Sequence, residues 1–465
     1  MRKRIIVLSL MSVMAIAVMG CTDKTEQTEN VVSEAVEKNK ETVEDGGDTN
    51  AAGVEPDSVA AEDAADADSE NGTDDLNETE PDTELEAEPD TELETETDTE
   101  PETAGPCDAV ELVRSMKIGW NLGNTLDASS DQNKEDELAY ESDWCGIVTT
   151  KEMVDAVKAA GFQTMRIPVS WHNHVSQDGS YKISDVWMNR VQEVVDYAID
   201  NDMYVIINIH HDNSTDYVYP SREYLEQSKA YVTSIWTQVA ERFADYDEHL
   251  IMEGLNEPRL VGTNNEWWLD LNNGQCVEAV QCINELNQAF VDAVRASGGR
   301  NKERYLLVPG YAASLQGATN EYFELPQDTE GNHNKIMVEV HAYIPYHFAL
   351  EAESESGSTD KWSADNISDT SEIDSMMDIL HEKYVKNGIG VVIDEFGARD
   401  KGGNIEARCE FAAYYVGAAR ERGITCCWWD NNAFTGNGEN FGIFRRMVCK
   451  FLYPDLVDGM MKACE

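Results

Sequence analysis

Eight short apolar runs, at 116–120, 164–168, 204–209, 250–254, 305–308, 335–340, 391–394 and 424–428, divide the larger part of this chain. Between them lie amphipathic stretches of helical length at 153–160, 187–201, 224–246, 277–297, 373–387 and 406–422. Gly161, Gly388 and Gly423 each stand just ahead of an apolar run, where the C-cap of a preceding helix falls. Near-continuous apolar strands alternating with helices imply a parallel sheet covered on both faces. Eight such units predict an α/β fold, a closed (β/α)8 TIM barrel. Only the connection at 311–323 reads as a poor helix. The 359 residues of 107–465 exceed the usual single core but suit a barrel with long loops.

The chain ahead of the barrel reads differently. Residues 22–106 hold 31 Asp and Glu against three Lys, with no Phe, Trp or Tyr. Such a segment buries too little apolar surface to offset the entropy of ordering, so it is expected to be a disordered acidic tether. Its run Pro-Asp-Thr-Glu-Leu-Glu at 81 recurs at 89, a low-complexity repeat. The whole chain carries a net charge of −55, which excludes a duplex-DNA binder. No nucleic-acid partner is expected. At the start, Arg2-Lys3-Arg4 precedes an apolar run at 5–18, shorter than the about 20 residues a membrane span needs. Val18-Met19-Gly20-Cys21 resembles the lipobox of bacterial lipoproteins, which implies cleavage before Cys21 and acylation of its thiol. The expected organisation is a signal peptide at 1–20, the tether at 21–106 and the (β/α)8 barrel domain at 107–465. The mature protein is then exported and membrane-anchored at the cell surface, or secreted if the anchor is absent. Nine other cysteines remain, an odd number; Cys276 with Cys282 and Cys107 with Cys464 are candidate pairs. No Cys/His spacing suits a metal, and no metal or cofactor is expected.

Barrel enzymes place their chemistry at the C-terminal ends of the strands. Here those ends carry Asn121 and Asn124, Arg166, His210-His211-Asp212, Asn256-Glu257, His341 and Tyr343, Asp394-Glu395, and Trp428-Trp429-Asp430. Convergence of the strand ends brings Glu257 and Glu395 face to face, although 138 residues separate them in sequence. Two opposed carboxyls in a cleft lined by Trp suggest acid/base cleavage of a glycosidic bond.

The runs Gly-Trp-Asn-Leu-Gly-Asn-Thr-Leu-Asp (119–127), Met-Arg-Ile-Pro-Val-Ser-Trp (165–171), Asn-Ile-His-His-Asp (208–212), Leu-Asn-Glu-Pro-Arg (255–259), His-Ala-Tyr (341–343) and Asp-Glu-Phe-Gly (394–397) resemble glycoside hydrolase family 5, in clan A. Within it they are most similar to endo-β-1,4-glucanases and xyloglucanases, over about 112–453. The resemblance implies that Glu257 is the general acid/base and Glu395 the nucleophile of a retaining double displacement. It implies that Arg166 and Tyr343 hold the nucleophile's carboxylate, lowering its pKa, and that Asn256 binds the sugar 2-hydroxyl. Glu257 should have a raised pKa, supplied by the negative charge of the nucleophile. His341 is expected to orient the acid/base and His210 to bridge subsite hydroxyls and the Arg166 network. Asn121, His211 and the platform Trp429 complete the expected substrate-binding set; Trp428 should point outward. The implied substrate is a β-1,4-glucan, whether cellulose, mixed-linkage glucan or xyloglucan, acted on by a monomer. A β-mannanase of the same family and a non-catalytic surface glycan-binding lipoprotein are the alternatives.

Two features stand apart from the family pattern. Strand seven reads Ile-Asp-Glu where Ile-Gly-Glu is more usual, and strand alternation from Glu395 turns Asp394 outward into the helix layer, where it needs a partner. The acidic, Ser/Gly-rich segment at 351–358 reads as a mobile surface loop. Trp144, Trp171, Trp267 and Trp268 fall in loop-like stretches, where a ring can stack on sugar or simply cap the barrel mouth.

Overall fold

The computed structural model describes residues 109–465 except 330, 331, 333 and 437. The expected signal peptide, the expected tether, Cys21 and Cys107 lie outside the described residues. Strands β1 (Ile118–Asn121), β2 (Thr164–Ile167), β3 (Tyr204–Asn208), β4 (Leu250–Glu253), β5 (Leu306–Pro309), β6 (Ile336–His341), β7 (Val391–Phe396) and β8 (Thr425–Trp428) form a closed barrel in chain order. Every pairing is parallel, and Gly119 of β1 sits between Thr164 of β2 and Cys427 of β8 to shut the ring. The expected (β/α)8 barrel is present.

The outer layer follows from amphipathic sequence. Helices α2 (Lys151–Ala159), α3 (Asp185–Ile199), α4 (Leu225–Arg242), α5 (Gly274–Ala296), α8 (Ile367–Lys383) and α9 (Ile405–Glu421) each bury one apolar face on the strands. The weak β5–β6 connection holds only α6 (Leu315–Thr319), and the short α7 (Tyr346–Ala349) follows β6. After β8, a small antiparallel hairpin of β9 (Phe444–Arg445) and β10 (Lys450–Phe451) leads to α10 (Pro454–Ala463).

Two helices of eight residues or more escaped the sequence reading, α10 and one ahead of β1. Met116 does not open β1; it ends α1 (Ala109–Met116), whose Ala109, Leu112, Val113 and Met116 plug the barrel floor. They pack on Ile206, Ile251, Leu307, Met337, Val392 and Cys427. These strand residues therefore point inward, and alternation carries the same face two residues on to Asn208, Glu253, Glu339 and Asp394. An apolar layer thus lies beneath a polar one, at the end of the barrel where the strands finish.

The cysteine expectation needs one correction. The eight described cysteines are free thiols, and Cys276 and Cys282 share helix α5. Six residues of helix separate their Cα atoms by about 9 Å, beyond disulfide reach. The 351–358 loop, expected to be mobile, is tied at its ends by Lys401, whose Nζ donates to the His347 carbonyl at 2.6 Å, Ser358 Oγ at 2.9 Å and the Thr359 carbonyl at 2.9 Å.

Candidate active site

Arg166, on β2, lies in the polar layer and is wholly buried. Its Nε and Nη2 donate to the two oxygens of Glu253, each at 2.6 Å, a bidentate pair that fixes the guanidinium plane. From that plane Nη1 reaches Glu395 Oε1 at 2.7 Å and Asn121 Oδ1 at 3.0 Å, while Nη2 also reaches Asn256 Oδ1 at 2.6 Å. Burial alone would disfavour the cation, but the charges of Glu253, Asp394 and Glu395 drive its pKa well above the ordinary value. Asn208 Nδ2 donates to Glu253 at 2.8 Å and meets His210 Nδ1 at 3.0 Å, so β3 is joined to the same network.

Glu395 is only 5 % exposed. Its second oxygen accepts from the Tyr343 hydroxyl at 2.7 Å. Across the cleft, Glu257 Oε1 meets His341 Nδ1 at 2.8 Å, and Arg259 stands 3.6 Å from its other oxygen. An oxygen of Glu257, an oxygen of Glu395 and a ring nitrogen of His341 all lie within 4.8 Å of one another. Burial works to raise the pKa of Glu257, but the hydrogen bond and charge of His341, with Arg259 behind, hold it below the ordinary value in the free protein. The expected upward shift is absent because the cationic neighbours are closer partners than Glu395. His341 takes the proton instead: against burial, Glu395, Glu257 and Asp394 raise it to about 9.

The remaining expected residues fall at two depths. Asn121 is buried, with its Nδ2 donating to the Asp394 carbonyl at 2.8 Å, so Asn121 and Arg166 support the cleft from below instead of lining it. Asn256 gives its carboxamide oxygen to Arg166, which leaves its N–H groups to donate elsewhere. Burial and the charges of His211 and Arg166 keep His210 neutral, its pKa well below the ordinary value. Its ring lies parallel to that of Trp429 with centroids 5.9 Å apart. Gly123 leaves room for the indole, since a Cβ there would meet Trp429 Cζ2 at 2.8 Å. His211 is partly exposed, 3.7 Å from Asp127, with the half-exposed Trp144 ring 5.3 Å away. Trp428 turns outward and donates to the Phe441 carbonyl at 3.0 Å, while Trp171 is buried with its Nε1 on the Asn208 carbonyl at 2.9 Å. Trp267 and Trp268 are exposed, and the Arg259 guanidinium lies 3.8 Å over the Trp267 ring.

Asp394 corrects the alternation argument. It points into the barrel on the face of Val392, with Oδ2 3.6 Å from Arg166 Nε and Oδ1 3.4 Å from His341 Nε2. Pairing of β7 shifts register against β8 between Ile393 and Phe396, and against β6 between Glu339 and His341. That irregularity brings Glu395 to the cleft as well, so consecutive carboxyls both face inward. Glu253, Asn208 and Glu339 were also missed, although each is a polar residue two positions beyond an inward apolar one. Three groups place possible metal ligands within 4.8 Å: Asp127 with His210 and His211, Glu253 with His341 and Asp394, and Glu257 with His341 and Glu395. The last two are already engaged by Arg166 and by one another, and Asp127 accepts the backbone N–H groups of Asn124 at 3.0 Å and Thr125 at 2.6 Å.

The cellulase model of glycosyl hydrolase family 5 matches residues 128–435, which include every one of these residues except Asn121, Gly123, Asn124, Thr125, Asp127 and Phe441. The chain belongs to glycoside hydrolase family 5. An Endoglucanase 1 from Ruminococcus albus is 41 % identical over 359 residues, 77 % of this chain and 82 % of that one. A family 5 lichenase from Caldicellulosiruptor sp. F32, solved with cellotetraose, is 56 % identical with a TM-score of 0.76, covering 77 % of this chain and 96 % of that one. A xyloglucan-specific endo-β-1,4-glucanase from a metagenomic library, solved with cellotriose, is 36 % identical with a TM-score of 0.69, covering 76 % and 98 %. In this family 5 chain the barrel mouth therefore joins two carboxyls, a buried arginine beneath them and an indole platform beside them.

Proposed function

We propose that this family 5 enzyme hydrolyses internal β-1,4 bonds of neutral β-glucans with net retention, Glu395 serving as nucleophile and Glu257 as acid/base. The observation that carries the proposal is the approach of the two carboxyls to within 4.8 Å, oxygen to oxygen, across His341. Retaining enzymes hold their carboxyls about 5–5.5 Å apart, whereas inverting ones need roughly 6.5–9.5 Å to seat a water. The endoglucanase, lichenase and xyloglucanase relatives support a glucan as substrate.

In the first step Glu395 attacks the anomeric carbon while Glu257 delivers a proton to the departing glycosidic oxygen. In the second, Glu257 takes a proton from water, which attacks the same carbon and frees Glu395. Arg166 and Tyr343 aim the nucleophile through its two oxygens. Asn256 directs its N–H groups to the sugar 2-hydroxyl, and Trp429 carries the ring face. Anchoring through Cys21 belongs to the same proposal, supported by the basic, apolar and Val-Met-Gly-Cys succession at 2–21. Cys21→Ser should move the enzyme out of the membrane fraction.

The test is proton NMR of fresh products from a soluble cello-oligosaccharide. The β-anomer should appear first and equilibrate later; an initial α-anomer overturns retention. Glu395→Gln should lose at least about 10⁴-fold in kcat while still binding oligosaccharide, because shape is kept and the nucleophile is lost. Turnover near that of the unaltered enzyme removes Glu395 from the role.

A further inference from the structure

Beneath the catalytic pair, β6 and β7 bring Glu339 and Asp394 together, both fully buried. Neither oxygen of either side chain receives an N–H or O–H from any other described residue. Both face inward on neighbouring strands, close enough that each carboxyl shifts the proton affinity of the other. Two ionised carboxylates cannot satisfy each other, whereas one carboxylic acid donating to one carboxylate can. Charge counting agrees. Glu253, Glu257, Glu339, Asp394 and Glu395 share one buried interior with Arg166 and His341, while Arg259 reaches only the cleft side of Glu257. His210 is held neutral, and the Cys427 and Tyr343 protons are held on by burial, with Asp394 and Glu395 respectively adding to the effect.

We infer that Glu339 and Asp394 form a one-proton pair in which Glu339 is the acid, and that the charge left on Asp394 acts through His341 to keep a proton ready for Glu257. The inference rests on the proposed acid/base role of Glu257. Asp394 faces His341 Nε2 at 3.4 Å, and Glu257 faces Nδ1 at 2.8 Å. In the free enzyme the imidazolium donates its Nδ1 proton to ionised Glu257. When substrate covers the cleft, that proton crosses to Glu257 and then to the glycosidic oxygen, leaving His341 neutral. The water of the second step restores it, so one proton enters and one leaves per turnover. Asp394 and Glu339 are positioning residues here, because neither reaches the cleft. Arg166 Nε at 3.6 Å and His341 Nε2 at 3.4 Å stand against Asp394 and favour its anion, while Glu339 meets no cation of the described residues within 4 Å, which places the shared proton on Glu339; burial and Glu253 push both carboxyls up.

The experiment compares the full chain with Asp394→Asn, Glu339→Gln and Glu339→Leu by the pH dependence of kcat/KM and by NMR titration of His341. An anionic Asp394 raises the proton affinity of His341 and Glu257, so its removal should move the basic limb on cello-oligosaccharide to lower pH by about one unit. The His341 titration should fall with it. Dinitrophenyl β-cellobioside, whose leaving group needs no proton, should show no such displacement. Glu339→Leu should mimic Asp394→Asn, because Asp394 must then hold the proton itself. Glu339→Gln, a permanent donor, should return the limb to the position of the unaltered enzyme or to its alkaline side. Infrared spectroscopy supplies a readout free of activity: the unaltered protein should show a carboxylic-acid band at neutral pH that Glu339→Gln removes. An unmoved limb and unmoved His341 in Asp394→Asn, or no acid band, overturns the inference. A Glu257→Ala enzyme that loses the activated substrate as severely as the oligosaccharide fails the acid/base reading instead, leaving the His341 titration and the infrared arms to stand or fall separately.

Discussion

Arg166 makes five hydrogen bonds to carboxylate and carboxamide oxygens through a planar fork that no lysine reproduces. An ammonium at this position can reach Glu253 or Glu395 but cannot hold both at fixed angles. Arg166→Lys should therefore lower kcat by about 100-fold with a smaller change in KM, since the loss is in aiming the nucleophile. Equal kcat in steady-state assays would show that the nucleophile is positioned without the fork. Arg166 was legible in the sequence because it ends a strand beside a recognisable motif. Glu253 was not, because it lies inside the apolar run 250–254, where an interior strand position carries no sign of facing the barrel axis. Asp394 shows the limit of counting by twos: the alternation is sound from Val392 forward, and fails when counted back from Glu395 across an irregular strand.

At the scale of elements, the strands were legible from apolar content alone, because a parallel strand buried on both faces carries a continuous signal. Helix α1 was hidden because its eight residues merge into the first apolar run. The β5–β6 connection explains itself in packing terms. Its short helix is pressed against the loop leaving β5, where a Cβ on Gly317 would sit 2.2 Å from the Tyr311 carbonyl oxygen and 2.6 Å from its nitrogen. Those are backbone atoms that no side-chain rotation can move. Gly317→Ala should cost about 2 kcal/mol or more in denaturant unfolding, as overpacking of a closed site does. Leu112→Ala, which hollows the barrel floor, should cost about 2–4 kcal/mol with kcat unchanged, since the apolar layer separates it from the polar one. A parallel fall in kcat would mean that the floor transmits strain to the cleft.

For the whole molecule, charge decides which polysaccharides can approach. The full chain carries −55, and 107–465 retains −30 once the 31 acids and three lysines of 22–106 and the three basic residues at 2–4 are set aside. A neutral glucan feels none of this field, whereas a carboxymethylated one meets like charge at every approach. Salt shortens the range of that repulsion to about 10 Å at 0.1 M. Between about 10 and 200 mM salt, kcat/KM on carboxymethyl cellulose should rise several-fold, while kcat/KM on a neutral cello-oligosaccharide stays flat. Removing 22–106 takes away a net −28 and should shrink the salt response without altering kinetics on the neutral oligomer. Both measurements use the same enzyme and assay, so a general salt effect on the active site would appear in both substrates. A response shared by the neutral oligomer would place the salt-sensitive charge at the cleft, in the Arg166 and His341 network, and not in the acidic surface or the acidic segment at 22–106.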